Sequence, residues 1–370
     1  MRVAIVLNTS WNIYNFRINF IKRLIHEGFE VHTIAPEDEY THQLRAAGCI
    51  HHKVRMDSRG ANPIKDSALI VELWSIYRRC RPDVVLHYTI KPNVYGTFAA
   101  ALLGIPVINN VCGLGTVFLK DDLVSAIAIW LYKMAFRFPR KVFFQNSDDL
   151  QLFLDRKLVP ASSADLLPGS GINLNYFRPQ PYRRNKRFTF LMISRLISDK
   201  GVYEYIDAVK KLKAEGVNAR FQILGAKDPK HRRGIKLRVI DQWIRSGTVE
   251  YLGTTSDVRT YLREADCVVL PSYREGTPRT LLEAASSARP IIATDVPGCR
   301  NVVQHGRNGY LCGLRDADDL AEKMKEMASL DDHTLIAMGQ RGRMLAEAEF
   351  DESRVIEKYL AELKTFRRAS

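Results

Sequence analysis

Short apolar runs recur at residues 3–7, 31–35, 84–87, 106–109 and 142–145, and between most of them the apolar positions shift to the three- and four-residue spacing of an amphipathic helix. Runs of that length without polar alternation predict strands covered on both faces, so the pattern predicts a doubly wound parallel sheet. A polar, basic stretch over 178–187 interrupts it, and a second series follows at 188–193, 220–224, 249–252, 267–271, 290–293 and 310–312. The expected fold class is α/β, with two facing Rossmann-like domains over 1–167 and 168–350. A last helical pattern over 352–366 lies too far from the final strand to be its crossover, so residues 351–370 are expected to pack back on the first domain. Open sheets of this kind bind ligands beyond the carboxyl ends of their strands, which makes strand-end residues the candidates for chemistry, in a cleft between the domains.

With 370 residues, 46% of them apolar, the chain has the material for two hydrophobic cores. Lys and Arg number 55 against 41 acidic residues, a formal charge of +14, which favours an anionic partner: phosphates, lipid headgroups or nucleic acid. Nucleic acid explains only the charge, because the aromatic residues fall on apolar faces instead of alternating with basic stripes; no nucleic-acid partner is expected. The six cysteines, Cys49, Cys80, Cys112, Cys267, Cys299 and Cys312, form no C-x-x-C pair and read as reduced thiols. The first residues enter a strand directly and no uninterrupted apolar run reaches about 18 residues, so neither an export leader nor a membrane span is expected.

The junction over 274–283, R-E-G-T-P-R-T-L-L-E, joins a buried-type strand to a helix that Pro278 is expected to open. It leaves Glu275 at the turn and Glu283 inside the helix. A helix start offers amide dipoles to an anion, and carboxylates beside it accept hydrogen bonds from hydroxyl groups, a combination that suits a sugar nucleotide. The run S-R-L-I-S-D-K-G after the strand at 188–193 puts Arg195 and Lys200 at a carboxyl edge, where a planar fork and a compact charge can hold a diphosphate. Gly225, ending the strand at 220–224, lets another group approach the backbone. The blander alternatives are solvated cations for Arg195 and Lys200, a self-capped turn for Glu275, a helix-surface acid for Glu283 and plain turn chemistry for Gly225.

R-x4-K-G over 195–201, P-S-x2-E-G-x-P-x2-L-x-E-A ending at Ala284, D-V-P-G over 295–298 and G-x-x-G over 306–309 together resemble retaining glycosyltransferase family 4 with the GT-B fold. The resemblance implies that Arg195 and Lys200 bind the donor diphosphate and that Glu275 touches the transferred sugar, these three forming the catalytic set. It implies Glu283 on the ribose hydroxyls, with Gly276, Thr277, Pro278, Arg279 and Gly225 completing the donor site. It further implies a UDP-sugar as co-substrate, no enzymic nucleophile, and no cofactor. No Asp or His cluster in the sequence looks like a magnesium site, so catalysis without metal is expected.

The first domain departs from the family pattern. Cys112 stands where many members have a histidine, in V-C-G-L-G over 111–115, and N-T-S-W-N-I-Y-N-F-R over 8–17 replaces a glycine pair. The runs I-Y-N-F-R and H-Y-T-I-K-P-N-V-Y-G resemble bacterial transferases that extend undecaprenyl-diphosphate-linked sugars, particularly N-acetylgalactosaminyltransferases. That resemblance implies an acceptor-binding domain in which Arg17, His87, Lys91 and Asn93 meet a polyprenyl-diphosphate-linked sugar; a helix-surface Arg17 and a satisfied strand-end His87 are the alternatives. The stretch over 123–141 mixes Trp, Tyr and Phe with Lys133, Arg137, Arg140 and Lys141, which fits either an interfacial helix on an anionic membrane or a core helix with a basic end. The expected location is the cytoplasm, peripheral to the inner face of the plasma membrane. A UDP-sugar 2-epimerase of the same fold, and a family 4 transferase using another donor or a soluble acceptor, are the rival readings.

Overall fold

The computed structural model describes residues 1–57, 63–114 and 123–367. Its contacts divide the chain into two units: residues up to Ser170 together with those from Ser353 on, and Gly171–Glu352.

The first unit holds β1 (Arg2–Val6), β2 (Glu30–Ala35), β3 (Ile50–Lys53), β4 (Val84–Tyr88), β5 (Val107–Val111), β6 (Lys141–Phe144) and β7 (Ala164–Leu166), in the order β3-β2-β1-β4-β5-β6-β7 with every pair parallel. β1 and β4 are buried along almost their whole length because helices cover both faces. β3 and β7 were absent from the apolar-run pattern: I-H-H-K and A-D-L are short edge strands with one neighbour each, and burial does not demand apolar residues there. The helix Glu352–Arg367 joins this unit, as expected of the C-terminal segment. Its Val355, Tyr359, Leu360 and Leu363 pack with Phe20, Leu24 and Phe143 in one core, and the Tyr359 ring lies 4.9 Å from that of Phe20.

The second unit holds β8 (Phe188–Ile193), β9 (Ala219–Leu224), β10 (Glu250–Tyr251), β11 (Cys267–Leu270), β12 (Ile291–Thr294) and β13 (Gly309–Cys312), in the parallel order β10-β9-β8-β11-β12-β13. In both sheets the winding reverses once, between β1 and β4 and between β8 and β11. Such a reversal opens a crevice at the carboxyl edge, because the connections leave toward opposite faces. All six cysteines are free thiols. Among the described residues no helix is long and apolar enough to cross a membrane.

Candidate functional site

In the second unit, the candidate residues come from the two strands that flank the reversal. Arg195 and Lys200 follow β8; Glu275 and the turn into the helix Arg279–Ser286 follow β11. The Lys200 ammonium donates to the Glu275 carboxylate, and both side chains are mostly buried. What brings them together is Gly201, at φ 71°, packed so closely on the Pro271 carbonyl that any Cβ would collide with it. The Tyr273 amide also donates to the Asp199 carbonyl at 2.9 Å, tying the Lys200 turn to the strand end that leads to Glu275. Gly298 of the D-V-P-G run, at φ 83°, gives the backbone of Glu275 and Gly276 the room that a side chain there would fill.

Pro278 occupies the cap position and not the first helical turn, so the helix opens at Arg279. Arg279 lies 3.2 Å from Glu283 through Nε and donates from Nη1 to the Gly171 carbonyl at 2.9 Å. Burial pushes the Glu283 carboxyl above its ordinary value, with Arg279 pulling the other way. Thr277 is buried, and Gly276 and Thr277 carry the chain from Glu275 into the helix. Arg195 is more than half exposed, 3.9 Å from Asp228. Gly225 backs onto the Ser194 carbonyl, so the close approach that it permits is taken by the end of the neighbouring strand. Sequence reasoning passed over Arg233, which donates to Asp199 beside Lys200, while the Ser198 amide donates to the Arg233 carbonyl at 2.8 Å. The Asp199 position next to Lys200 was the only local hint.

In the first unit, Arg17 sits on the helix Ser10–His26 that follows β1, whereas His87, Lys91 and Asn93 lie at the end of β4 and just beyond it. These too flank the reversal. Arg17 is buried rather than on a helix surface: its guanidinium stacks over the Tyr88 ring at 4.4 Å and Nη1 donates to the Phe16 carbonyl at 2.9 Å. Among the described residues it has no carboxylate partner; the groups acting on its charge are Tyr88, Cys112 and Tyr359. Asn110 donates to the Tyr359 hydroxyl, which locks the C-terminal helix against β5 at this point. Burial pushes the Cys112 thiol up, with Arg17 opposing, and its Sγ lies 3.3 Å from Asn110 Oδ1. Gly115, last of the 111–115 run, lies outside the described residues.

His87 is wholly buried, bound to the Tyr77 hydroxyl at 2.9 Å and to Asn109 Oδ1 at 3.0 Å, and burial pushes it down to about 3, leaving a neutral ring. That is the geometry of a satisfied strand end. Asn93 is equally buried and donates to the Asn110 carbonyl at 2.8 Å, and Lys91 pairs with Asp66 at 2.8 Å. These three hold the strand-to-helix junction together, whereas Arg17 has no acid beside it among the described residues. Thr89, between His87 and Lys91, has φ 66°, a left-handed conformation costly for a β-branched residue and typical of functional junctions.

The helix Leu123–Ala135 turns Ile127, Trp130 and Lys133 outward, and Arg137 and Phe138 continue that exposed face. Lys141 does not share it: its ammonium lies within 3.6 Å of Glu362 and 3.5 Å of Asp165.

The family model described as "Glycosyl transferases group 1" matches residues 187–329, and that described as "Glycosyl transferase 4-like" matches residues 2–146. The chain is 28% identical, over 97% of both chains, to the N,N'-diacetylbacillosaminyl-diphospho-undecaprenol alpha-1,3-N-acetylgalactosaminyltransferase of Campylobacter jejuni. It is 22% identical, over 91% of this chain and 90% of the other, to the N-acetyl-alpha-D-glucosaminyl L-malate synthase of Bacillus anthracis. Among solved structures, Anabaena HepE in complex with UDP-glucose superposes with a TM-score of 0.81 at 16% identity, over 99% of this chain and 100% of that one.

Proposed function

The chain belongs to glycosyltransferase family 4 and has the GT-B fold, and on that premise we propose that it moves an N-acetylhexosamine from a UDP-sugar to an undecaprenyl-diphosphate-linked sugar with retention of configuration. The observation that carries the reading is the Lys200–Glu275 pair at the carboxyl edge where the second sheet reverses, with Glu283 on the helix that follows. The full-length likeness to the Campylobacter enzyme supports both the sugar and the acceptor.

In this mechanism the bond from the anomeric carbon to UDP breaks first, and charge gathers on the departing diphosphate. Lys200 and Arg195 meet that charge, and the dipole of the helix opening at Arg279 adds to it. The acceptor hydroxyl forms the new bond on the same face of the sugar and passes its proton to a phosphate oxygen of the leaving group. Glu275 positions the sugar hydroxyls while it orients the Lys200 ammonium. Glu283, held by Arg279, accepts from the ribose. No step asks for a nucleophilic side chain or a metal, because charge stabilisation and positioning supply the acceleration.

The test is a screen of UDP-N-acetylgalactosamine, UDP-N-acetylglucosamine and UDP-galactose against short-chain polyprenyl-diphosphate sugars and against L-malate, with the product anomer read by NMR. Transfer to the lipid-linked sugar with the donor's anomeric configuration is expected. Inversion would refute the mechanism. Transfer to malate alone would favour the soluble-acceptor reading that the Bacillus relative suggests, and a C2 epimer from donor alone would establish the epimerase.

A lipid-borne acceptor also calls for a membrane-facing surface, and Ile127, Trp130 and Phe138 beside Lys133 and Arg137 suit the interface of an anionic bilayer. The protein is expected to co-sediment with phosphatidylglycerol vesicles. Changing Lys133, Arg137 and Arg140 to Gln should weaken that binding on the order of a hundredfold, given roughly 1 kcal/mol per surface cation. Undiminished binding by the triple variant would remove the membrane from the proposal.

A further inference from the structure

The candidate machinery leaves unused a cluster between β2, β3 and the end of the helix that leads into β4. His32 is the third residue of β2, His52 the third of β3, and Cys80 the last residue of the helix Pro63–Cys80 that leads into β4. One ligand-type atom from each lies within 4.8 Å of the others. His32 Nδ1 and His52 Nε2 are 2.8 Å apart, with the two rings nearly parallel. The far nitrogen of His32 is 2.7 Å from a Glu30 carboxylate oxygen.

We propose that His32, His52 and Cys80 bind a borderline-soft divalent cation of the zinc class, forming a structural clip between the β2–β3 edge and the end of the helix Pro63–Cys80. Two imidazoles and one thiolate are a donor set that favours zinc over magnesium or calcium, which take oxygen ligands. A tetrahedral ion with bonds of about 2.0–2.3 Å spans such a cluster after small side-chain rotations. Glu30 on the remote nitrogen of His32 is the outer partner that commonly fixes the tautomer and orientation of a metal-bound histidine, turning Nδ1 inward. His32 and Cys80 are buried and His52 is half-buried, so a bound ion would be shielded from bulk water.

The surrounding charges pull both ways. Cysteine ligates as the thiolate and histidine as the neutral ring. Binding therefore displaces the thiol proton: the sulfur–hydrogen bond breaks, the sulfur–metal bond forms and one proton leaves. Arg2 and Arg79 oppose a cation here, while Glu30 favours it and is itself held 3.1 Å from Arg2. The gain from a bound ion would be mechanical, since β3 is a four-residue edge strand with one neighbour and Ile50 half exposed.

Full-length protein stripped with a chelator should bind one equivalent of Co²⁺ with a thiolate-to-cobalt charge-transfer band. Zn²⁺ should displace it and raise Tm. Cys80→Ser should abolish the band, His52→Gln should raise the apparent Kd at least tenfold, and Cys112→Ser should change neither. No charge-transfer band in the wild type, or a band that survives Cys80→Ser, would overturn the proposal. Should Cys80→Ser fail to fold, His52→Gln decides alone, and unchanged cobalt affinity in that variant refutes the clip. Transferase turnover measured well below Tm should be equal with and without zinc, so failure of this site and failure of the proposed function are seen separately.

Discussion

Lys200→Ala is expected to lower kcat by roughly a hundredfold or more at saturating donor. A preorganised charge aimed at a developing anion is worth about 3–4 kcal/mol in comparable sites. The diphosphate gains most of its negative charge in the transition state, so the loss should fall on kcat more than on KM. Lys200 also orients Glu275 through their ion pair, and the two contributions can be separated. If Lys200 acted only by positioning Glu275, then Glu275→Gln and the double variant would turn over at the same rate. If it also contacts the leaving group, the double variant should be slower than Glu275→Gln. A Lys200→Ala enzyme running at the wild-type rate would withdraw the assignment entirely.

Arg17→Met should lower kcat/KM for a polyprenyl-diphosphate-linked acceptor by about tenfold to a hundredfold, the range for a hydrogen-bonded charge worth about 1.5–3 kcal/mol. Donor affinity, measured by UDP titration, should not change. Arg17 carries a desolvated charge with no carboxylate beside it among the described residues, supported by the face of Tyr88 and by dipoles. Burying a cation in that way costs stability, and methionine of similar length removes the cost, so Tm should hold or rise. A purely structural arginine predicts the reverse: a lower Tm and an unaltered acceptor KM. Arg17→Lys tests geometry separately from charge, because a lysine keeps the cation but loses the fork and the stacking on Tyr88.

Much of the second unit was legible along the chain. Its strands, its Lys-Gly turn and its paired glutamates are local patterns, and the geometry that joins them needs only neighbours across one sheet edge. The first unit was harder. Along the chain Arg17 read either as a cation for the acceptor diphosphate or as a helix-surface residue, and only Tyr88, Cys112 and Tyr359 converging on it make it a buried cation. His87 and Asn93 were visible as strand-end polar residues, but periodicity says nothing about whether such a side chain faces solvent or is bonded within the core, as these are to Asn109 and Asn110. The short edge strands β3 and β7 escaped notice because a strand exposed along one side needs no apolar run.

Apolar periodicity was enough to establish two wound sheets, since continuous burial on both faces of a strand is met mainly by apolar residues. Residue spacing was enough to put cations and carboxylates at strand ends. Which carboxylate neutralises which cation, why one arginine has none among the described residues, and how two histidines come to lie beside a cysteine were decided by tertiary packing alone. Those are distances of a few ångströms between segments remote in the chain, and electrostatic energy inside a protein depends on just such distances.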